Sequence, residues 1–198
     1  MRIVGILLAA GRATRFGGDK LLAPLDNAAD TPGLPAKAMG VVAAEHLVSA
    51  LPEAIAVVRP GDVRLAQLLR DAGVRIVECE RADDGMGASL ACGVMATGDA
   101  DAWVVALADM PWIAPATIGV VRDALIKGAD IVAPRHRGAR GHPVGFARRH
   151  YASLAALTGD HGARGLIERS RARMTLIDVD DAGTTRDIDT PLDLRSPD

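Results

Sequence analysis

The sequence predicts an α/β fold: a doubly wound, mostly parallel, Rossmann-like sheet flanked by helices. Three observations lead there. Residues 2–10 (RIVGILLAA) are an unbroken aliphatic run of the kind a central parallel strand, covered on both faces, requires. Similar short runs recur at 54–58, 75–79, 102–108, 130–133 and 174–179, with helix-compatible stretches such as 63–72 and 115–127 between most of them. Strand alternating with helix means a parallel sheet. Finally, 49% of the 198 residues are hydrophobic and only 3% aromatic, so Ala, Val, Leu and Ile must build the core, as in helices packed on a buried sheet.

Taken in order, the first run opens the sheet and leads into a glycine-rich loop. Residues 26–35 (DNAADTPGLP) are dense in turn formers and read as an exposed loop. The strand at 54–58 ends in Arg59-Pro60-Gly61-Asp62, which falls on the carboxyl rim of the sheet. Residues 84–89 precede a helix-compatible run at 90–96. Pro115 suits the first turn of a helix and Gly128 its C-terminal stop. No repeat, low-complexity tract or Gly/Ser linker divides the chain, which reads as one domain, 1–198.

Composition excludes several classes. A formal net charge of -2, with basic residues scattered, gives no attraction to a nucleic-acid backbone. Cys79 and Cys92 form no CxxC or Cys/His cluster and read as reduced structural thiols. The N-terminal run is too short to span a bilayer and is followed by no signal cleavage site. The expectation is a soluble, cytoplasmic protein without a membrane partner.

Ligands of open α/β sheets bind beyond the carboxyl ends of the strands, so the loop after the first strand is the first place to look for chemistry. It reads LLAAGRATRFGGDKLL, residues 7–22. Gly11, Gly17 and Gly18 let the backbone curl round a phosphate with N–H groups inward, and Arg12, Arg15 and Lys20 add positive charge. Lys20 reads as a mobile cation in a solvent-facing loop. The pattern is neither a Walker A loop nor GxGxxG.

Asp109 ends the strand run at 102–108, on the same rim. There it either holds Mg²⁺ against a polyphosphate or caps the next turn. A second acidic cluster, Asp187-Ile188-Asp189-Thr190-Pro191, adds a remote carboxylate of the sort Mg²⁺ shares, although Asp189 also suits an N-cap. Ser89 sits where the N-terminus of a helix offers free N–H groups, as ligand contact or as plain cap. Arg135, Arg137 and Arg140 suit an anionic acceptor, or simply solvent.

LAAGRATRFGGDKLL resembles the signature loop of the nucleotidyltransferases that complete molybdenum cofactors, within the superfamily that activates sugar phosphates. GMGASLACGV (85–94), LADMPW (107–112), GHPVGF (141–146), GDHGARGLI (159–167) and DIDTPLDL (187–194) continue the series in the family's order over nearly the whole chain. The chain is most similar to the cytidylyltransferase branch. The resemblance implies a nucleotide-diphospho-sugar transferase type of fold, Mg²⁺ as cofactor, and CTP and a molybdopterin-type cofactor as substrates. It also implies transient contact with a molybdenum hydroxylase or its chaperone.

Carried onto matching positions, and joined to the residue reading above, it gives Arg15, Lys20 and Asp109 as catalytic and Asp109 and Asp189 as metal ligands, with Asp187 less favoured. Leu8, Ala9, Ala10, Gly11, Arg12, Lys20, Arg59, Gly85, Met86 and Ser89 surround the nucleotide. Arg135, Arg140, His142 and Asp160 face the acceptor, and His142 is assigned no proton transfer. Residues 25–39 are longer and more polar than in relatives, so no role is carried onto 26–37. The rival readings are guanylyl transfer, activation of a sugar or polyol phosphate, and a non-catalytic molybdopterin-binding chaperone. Leu8-Ala9-Ala10-Gly11, where guanylyl enzymes more often have Leu-Ala-Gly-Gly, favours cytosine, and Lys20 with Asp109 favours catalysis.

Overall fold

In the computed structural model, which describes residues 1–11, 16, 19–25 and 36–194, the first aliphatic run forms β1 (Ile3–Leu8) inside the sheet. Its flanks are parallel partners, β2 (Ala54–Val58) on one side and β4 (Ala102–Leu107) on the other, and β3 (Arg75–Glu78) lies parallel beyond β2. The chain then forms β5 (Ile131–His136), β6 (Ala139–Arg140), β7 (Val144–Ala147) and β8 (Met174–Asp178). The strand order is β3-β2-β1-β4-β7-β5-β6, with β8 parallel to β5.

Two strands, β6 and β7, depart from the expected set, both antiparallel to β5. β7 lies antiparallel between β4 and β5, pairing Val105 with Val144 and Trp103 with Phe146. A tight hairpin makes the reversal: Arg137 and Gly138 both take positive φ, 48° and 85°, as a two-residue turn joining twisted strands requires. Gly145 is required by packing, because a Cβ there would meet Val132 Cγ1 at 2.7 Å and Leu125 Cδ1 at 2.9 Å.

Helices cover both faces. α1 (Met39–Ala50), α2 (Val63–Asp71) and α4 (Pro115–Ile126) bury Leu47, Leu69 and Val121 against one face, where Leu7, Ala56 and Val104 point. α3 (Met86–Met95), α5 (Tyr151–Ala155) and α6 (Arg164–Arg169) bury Leu90, Leu154 and Leu166 against the other, where Ile6, Val57 and Trp103 point. Alternate β1 residues therefore serve opposite layers, each fully buried aliphatic side chain contributing ~1.5–3 kcal/mol against unfolding.

A smaller third cluster joins Leu25, Met39, Val42 and Ile188, with Phe16, Leu21 and Trp112 packed on it. Cys79 is buried and Cys92 half-buried beside it; burial first, then the neighbouring thiol, push the Cys92 thiol up to about 11. Cys92 is therefore a neutral packing group at neutral pH. Among the described residues no helix is long and apolar enough to cross a membrane.

Candidate active site

The carboxyl ends of β1, β2 and β4 open onto a cleft of about 1340 Å³. That exceeds the roughly 300–1,000 Å³ usual for one small ligand. Its floor is the end of β1: Ala9 donates its amide to Val57 O at 2.9 Å, and Ala9 and Ala10 are buried. Leu8, Ala9, Ala10, Gly11, Lys20, Arg59, Gly85, Met86, Ser89, Asp109, Asp160 and Asp189 all line it. Arg12 and Arg15 lie outside the described residues.

Lys20 corrects the sequence expectation. It is not a mobile group in solvent: it starts a short 3-10 turn, Lys20–Leu22, and is 8% exposed. Its Nζ donates to Asp109 Oδ2 at 2.9 Å and to Asp189 Oδ1 at 3.3 Å. The topology brings these carboxylates together. Asp109 follows β4, and its carbonyl accepts the amide of Ile188 at 3.0 Å, which fixes the 187–189 segment alongside. Asp187 is on that segment, and its charge acts on His142.

Asp109 does not cap α4. The start of α4 is held instead by Asp181, whose Oδ2 accepts from the Ala114 amide at 3.0 Å and from Thr117 Oγ1 at 2.6 Å. Ser89 is likewise no N-cap. α3 begins at Met86, Gly85 is its N-cap, and Ser89 Oγ donates back to Gly85 O at 3.3 Å. Gly85 and Gly87 press on the 158–160 loop: a Cβ on Gly85 would lie 2.6 Å from Gly159 O, and one on Gly87 2.6 Å from Thr158 O. The Gly87 amide donates to Gly159 O at 2.8 Å, so the segments matched to nucleotide and acceptor are in direct contact.

Arg135 and Arg140 are not in the cleft lining. Arg135 Nε and Nη2 donate to Asp178 Oδ1 and Oδ2 at 2.6 and 2.8 Å on β8, which holds its guanidinium above the usual range, while Arg140 is exposed on β6. Arg59 is ion-paired with Asp83, which ties the end of β2 to the 3-10 turn Ala82–Asp84 before α3. His142 is likewise not in the cleft lining. Its amide donates to Thr184 O at 2.8 Å, and its buried Nδ1 has no partner among the described residues. The sequence reading missed the α2 side of the cleft, where Val63, 75% exposed, and Arg64 form a wall. An apolar residue at the first position of a strongly amphipathic helix, off its buried face, was the available signal.

Burial first, then the Arg140 guanidinium, lower His142 to about 4, against the pull of Asp187. The unfolded chain protonates this imidazole near 6.5 and the folded chain only near 4, so between those values unfolding takes up a proton. Stability is therefore expected to be lost progressively as pH falls from 6.5 to 4, by at most roughly 3 kcal/mol. Urea unfolding across that range checks it: His142→Gln should flatten the slope, and an unchanged slope would assign the loss to other groups.

Among the described lining residues Asp19, Asp62, Asp83, Asp109, Asp160 and Asp189 face Lys20, Arg59 and Arg64. The acids outnumber the cations, so a bound polyphosphate calls for further positive charge. No group of three or more His, Cys, Asp or Glu stands ready for a metal among the described residues. Two carboxylates sharing one cation are nevertheless the donor set with which Mg²⁺, keeping water and phosphate for its other positions, is commonly held.

A large cleft on the carboxyl rim of such a sheet, with a lysine between two aspartates, fits an α/β enzyme of the nucleotidyltransferase type. The chain belongs to the family of the MobA-like NTP transferase domain, whose model matches residues 5–174. It is 29% identical over 203 residues to the nicotine blue oxidoreductase of Paenarthrobacter nicotinovorans, covering 95% of this chain and 92% of that one. It is 27% identical over 200 residues to the purine catabolism protein PucB of Bacillus subtilis (strain 168), covering 96% and 92%. Among solved structures it is similar to Rv0371c from Mycobacterium tuberculosis H37Rv, with TM-score 0.79, 28% identity and coverage of 97% and 94%. The same protein has been solved in complex with manganese, which it matches with TM-score 0.72 at 26% identity over 99% and 94% of the two chains.

Proposed function

We propose that this NTP transferase moves CMP from CTP to the phosphate of a molybdopterin-type cofactor, giving the cytosine dinucleotide and pyrophosphate, with Mg²⁺. The observation that carries the proposal is the Lys20–Asp109–Asp189 cluster at the inner end of the cleft. A bond forms from an acceptor phosphate oxygen to the α-phosphorus as the bond to pyrophosphate breaks. The acceptor is already largely anionic at neutral pH, so no side chain need take its proton; orientation and charge neutralisation suffice.

Asp109 and Asp189 would hold the Mg²⁺, which supplies positive charge to the oxygens of the triphosphate. Lys20, with Arg12 and Arg15 of the glycine loop, would hold the phosphates. The buried strand end at Ala9 and Ala10, with Gly85, Met86 and Ser89, would bound the base. His142 and Asp160 are assigned to the acceptor side, Asp160 from the loop in contact with the base segment. A relative named for purine catabolism accords with a client hydroxylase of the xanthine dehydrogenase type.

CTP is expected to turn over with the highest kcat/KM of the four NTPs and to give the largest thermal shift, about 2.7 kcal/mol of added stability at a hundred times its dissociation constant. A wrong base leaves a buried polar group unpaired, at roughly 1–3 kcal/mol each. Equal or better kcat/KM with GTP would move the chain to guanylyl transfer. Turnover only with a sugar or polyol phosphate would replace the acceptor, and binding without turnover would favour a chaperone.

A further inference from the structure

Two carboxylates that could take a divalent ion are already sharing a monovalent one. Lys20 Nζ lies 2.9 Å from Asp109 Oδ2 and 3.3 Å from Asp189 Oδ1, and the lysine side chain is 9% exposed while the aspartates are 30% and 47% exposed. The ammonium is on the inner side of the pair. Its backbone is anchored: the Leu22 amide donates to Asp19 O, the Ala23 amide to Lys20 O, and Leu25 just beyond is fully buried.

Lys20 Nζ engages one oxygen of each aspartate, so an ion ligated by both would lie close against the ammonium. Two cations at contact distance in a partly buried site repel by several times what they would in water. Bare metal must therefore displace an ammonium that is held by two carboxylates and carried on an anchored turn. A polyphosphate changes the balance, because its oxygens accept from the displaced ammonium as the metal takes the carboxylates. We propose that Lys20 is the resident counter-ion of Asp109 and Asp189, that it bars a bare divalent ion, and that the site is filled only by metal arriving with the nucleotide. This rests on the metal role proposed above for the two aspartates. It makes metal and nucleotide heterotropically coupled ligands, each raising the affinity for the other.

The test is Mn²⁺ binding without nucleotide, followed by the loss of the free-ion electron paramagnetic resonance signal. It compares the full-length protein with Lys20→Met, Lys20→Arg, Lys20→Met/Asp109→Asn and Asp109→Asn. Circular dichroism confirms that each is folded. Lys20→Met is expected to bind Mn²⁺ on the order of ten-fold or more tighter than the parent, because the competing cation is gone. Lys20→Arg should stay as weak as the parent, and the gain should vanish in the double variant.

Equal affinity of parent and Lys20→Met, both lost with Asp109→Asn, would overturn the counter-ion role while leaving the metal site standing. Binding in neither, beyond that of Asp109→Asn, would overturn both the counter-ion role and the metal assignment. A gain that survives in the double variant would place the ion elsewhere and overturn the proposal. None of these outcomes depends on which NTP or acceptor is used, so failure of cytidylyl transfer is read separately.

Discussion

Asp109→Asn is expected to leave a folded protein whose transfer rate has fallen on the order of 10²–10³-fold, the usual cost of removing one preorganised electrostatic element. The substitution keeps the size of the side chain and removes the charge that faces Lys20 Nζ at 2.9 Å. It does not touch the bond from the Ile188 amide to the Asp109 carbonyl, so the 187–189 segment should stay in place. Nor does it disturb α4, whose start depends on Asp181. Steady-state kcat with CTP over a Mg²⁺ range, beside thermal unfolding, makes the measurement, and extra Mg²⁺ at ordinary concentrations should not restore the rate. A variant with near-parental kcat and unchanged Mg²⁺ dependence would remove Asp109 from the chemistry.

Trp103→Ala should be the most destabilising single change in the core, by about 3–5 kcal/mol, as large-to-small substitutions of buried aromatics are. Trp103 is fully buried on β4 and faces Phe146 across the antiparallel pairing with β7. Its ring stacks on Tyr151 with centroids 5.9 Å apart, Arg148 lies over it at 5.8 Å, and its Nε1 donates to Thr97 Oγ1 at 2.9 Å. Deleting the indole leaves a cavity and a buried hydroxyl short of one partner. Native stability is commonly ~5–15 kcal/mol, so from about a fifth to all of it is at stake. Urea midpoints measure this; a change below about 1 kcal/mol would mean that the layer collapses to fill the space.

The legible parts of the fold were those written in short periods. The strand at 54–58 matches β2 residue for residue, and 75–79, 102–108 and 174–179 each overrun their strands by a residue. β7 was invisible because GHPVGF carries two glycines and a proline in six residues, the composition of a turn. What makes it a strand is its neighbours: β4 and β5 offer hydrogen-bonding edges, and α4 leaves room only for Gly145. The start of α3 was placed too late because Gly85 and Gly87 read as a turn. Their smallness instead serves contact with a loop some seventy residues on, at Thr158 and Gly159.

The site was legible as residue types and not as an arrangement. Lys20, Asp109 and Asp189 were singled out separately, but nothing local to Lys20 reveals that carboxylates 89 and 169 positions away would close over it. The true partner of the α4 start, Asp181, is 67 residues from Ala114 and was not anticipated for the same reason. Arg135 and Arg140 looked like acceptor groups in a linear basic segment, and pairing along β5 turns Arg135 to Asp178 instead. Arg12, Arg15 and the 26–35 loop lie outside the described residues.

The chain has two tryptophans, and their settings give each a separate optical meaning. Trp103 lies in the sheet core between Phe146 and Tyr151, far in character from any solvent change at the rim, so its emission reports whether the fold is intact. Trp112 is three residues past Asp109 and packs on the Leu25, Met39, Val42 and Ile188 cluster that underlies both the Lys20 turn and the Asp189 segment. Its buried Nε1 has no acceptor among the described residues, so it is sensitive to any polar group brought near. Intrinsic fluorescence thus carries two signals in one spectrum, denaturation on the first indole and events at the cleft on the second, and a Trp112→Phe protein separates them without an attached dye.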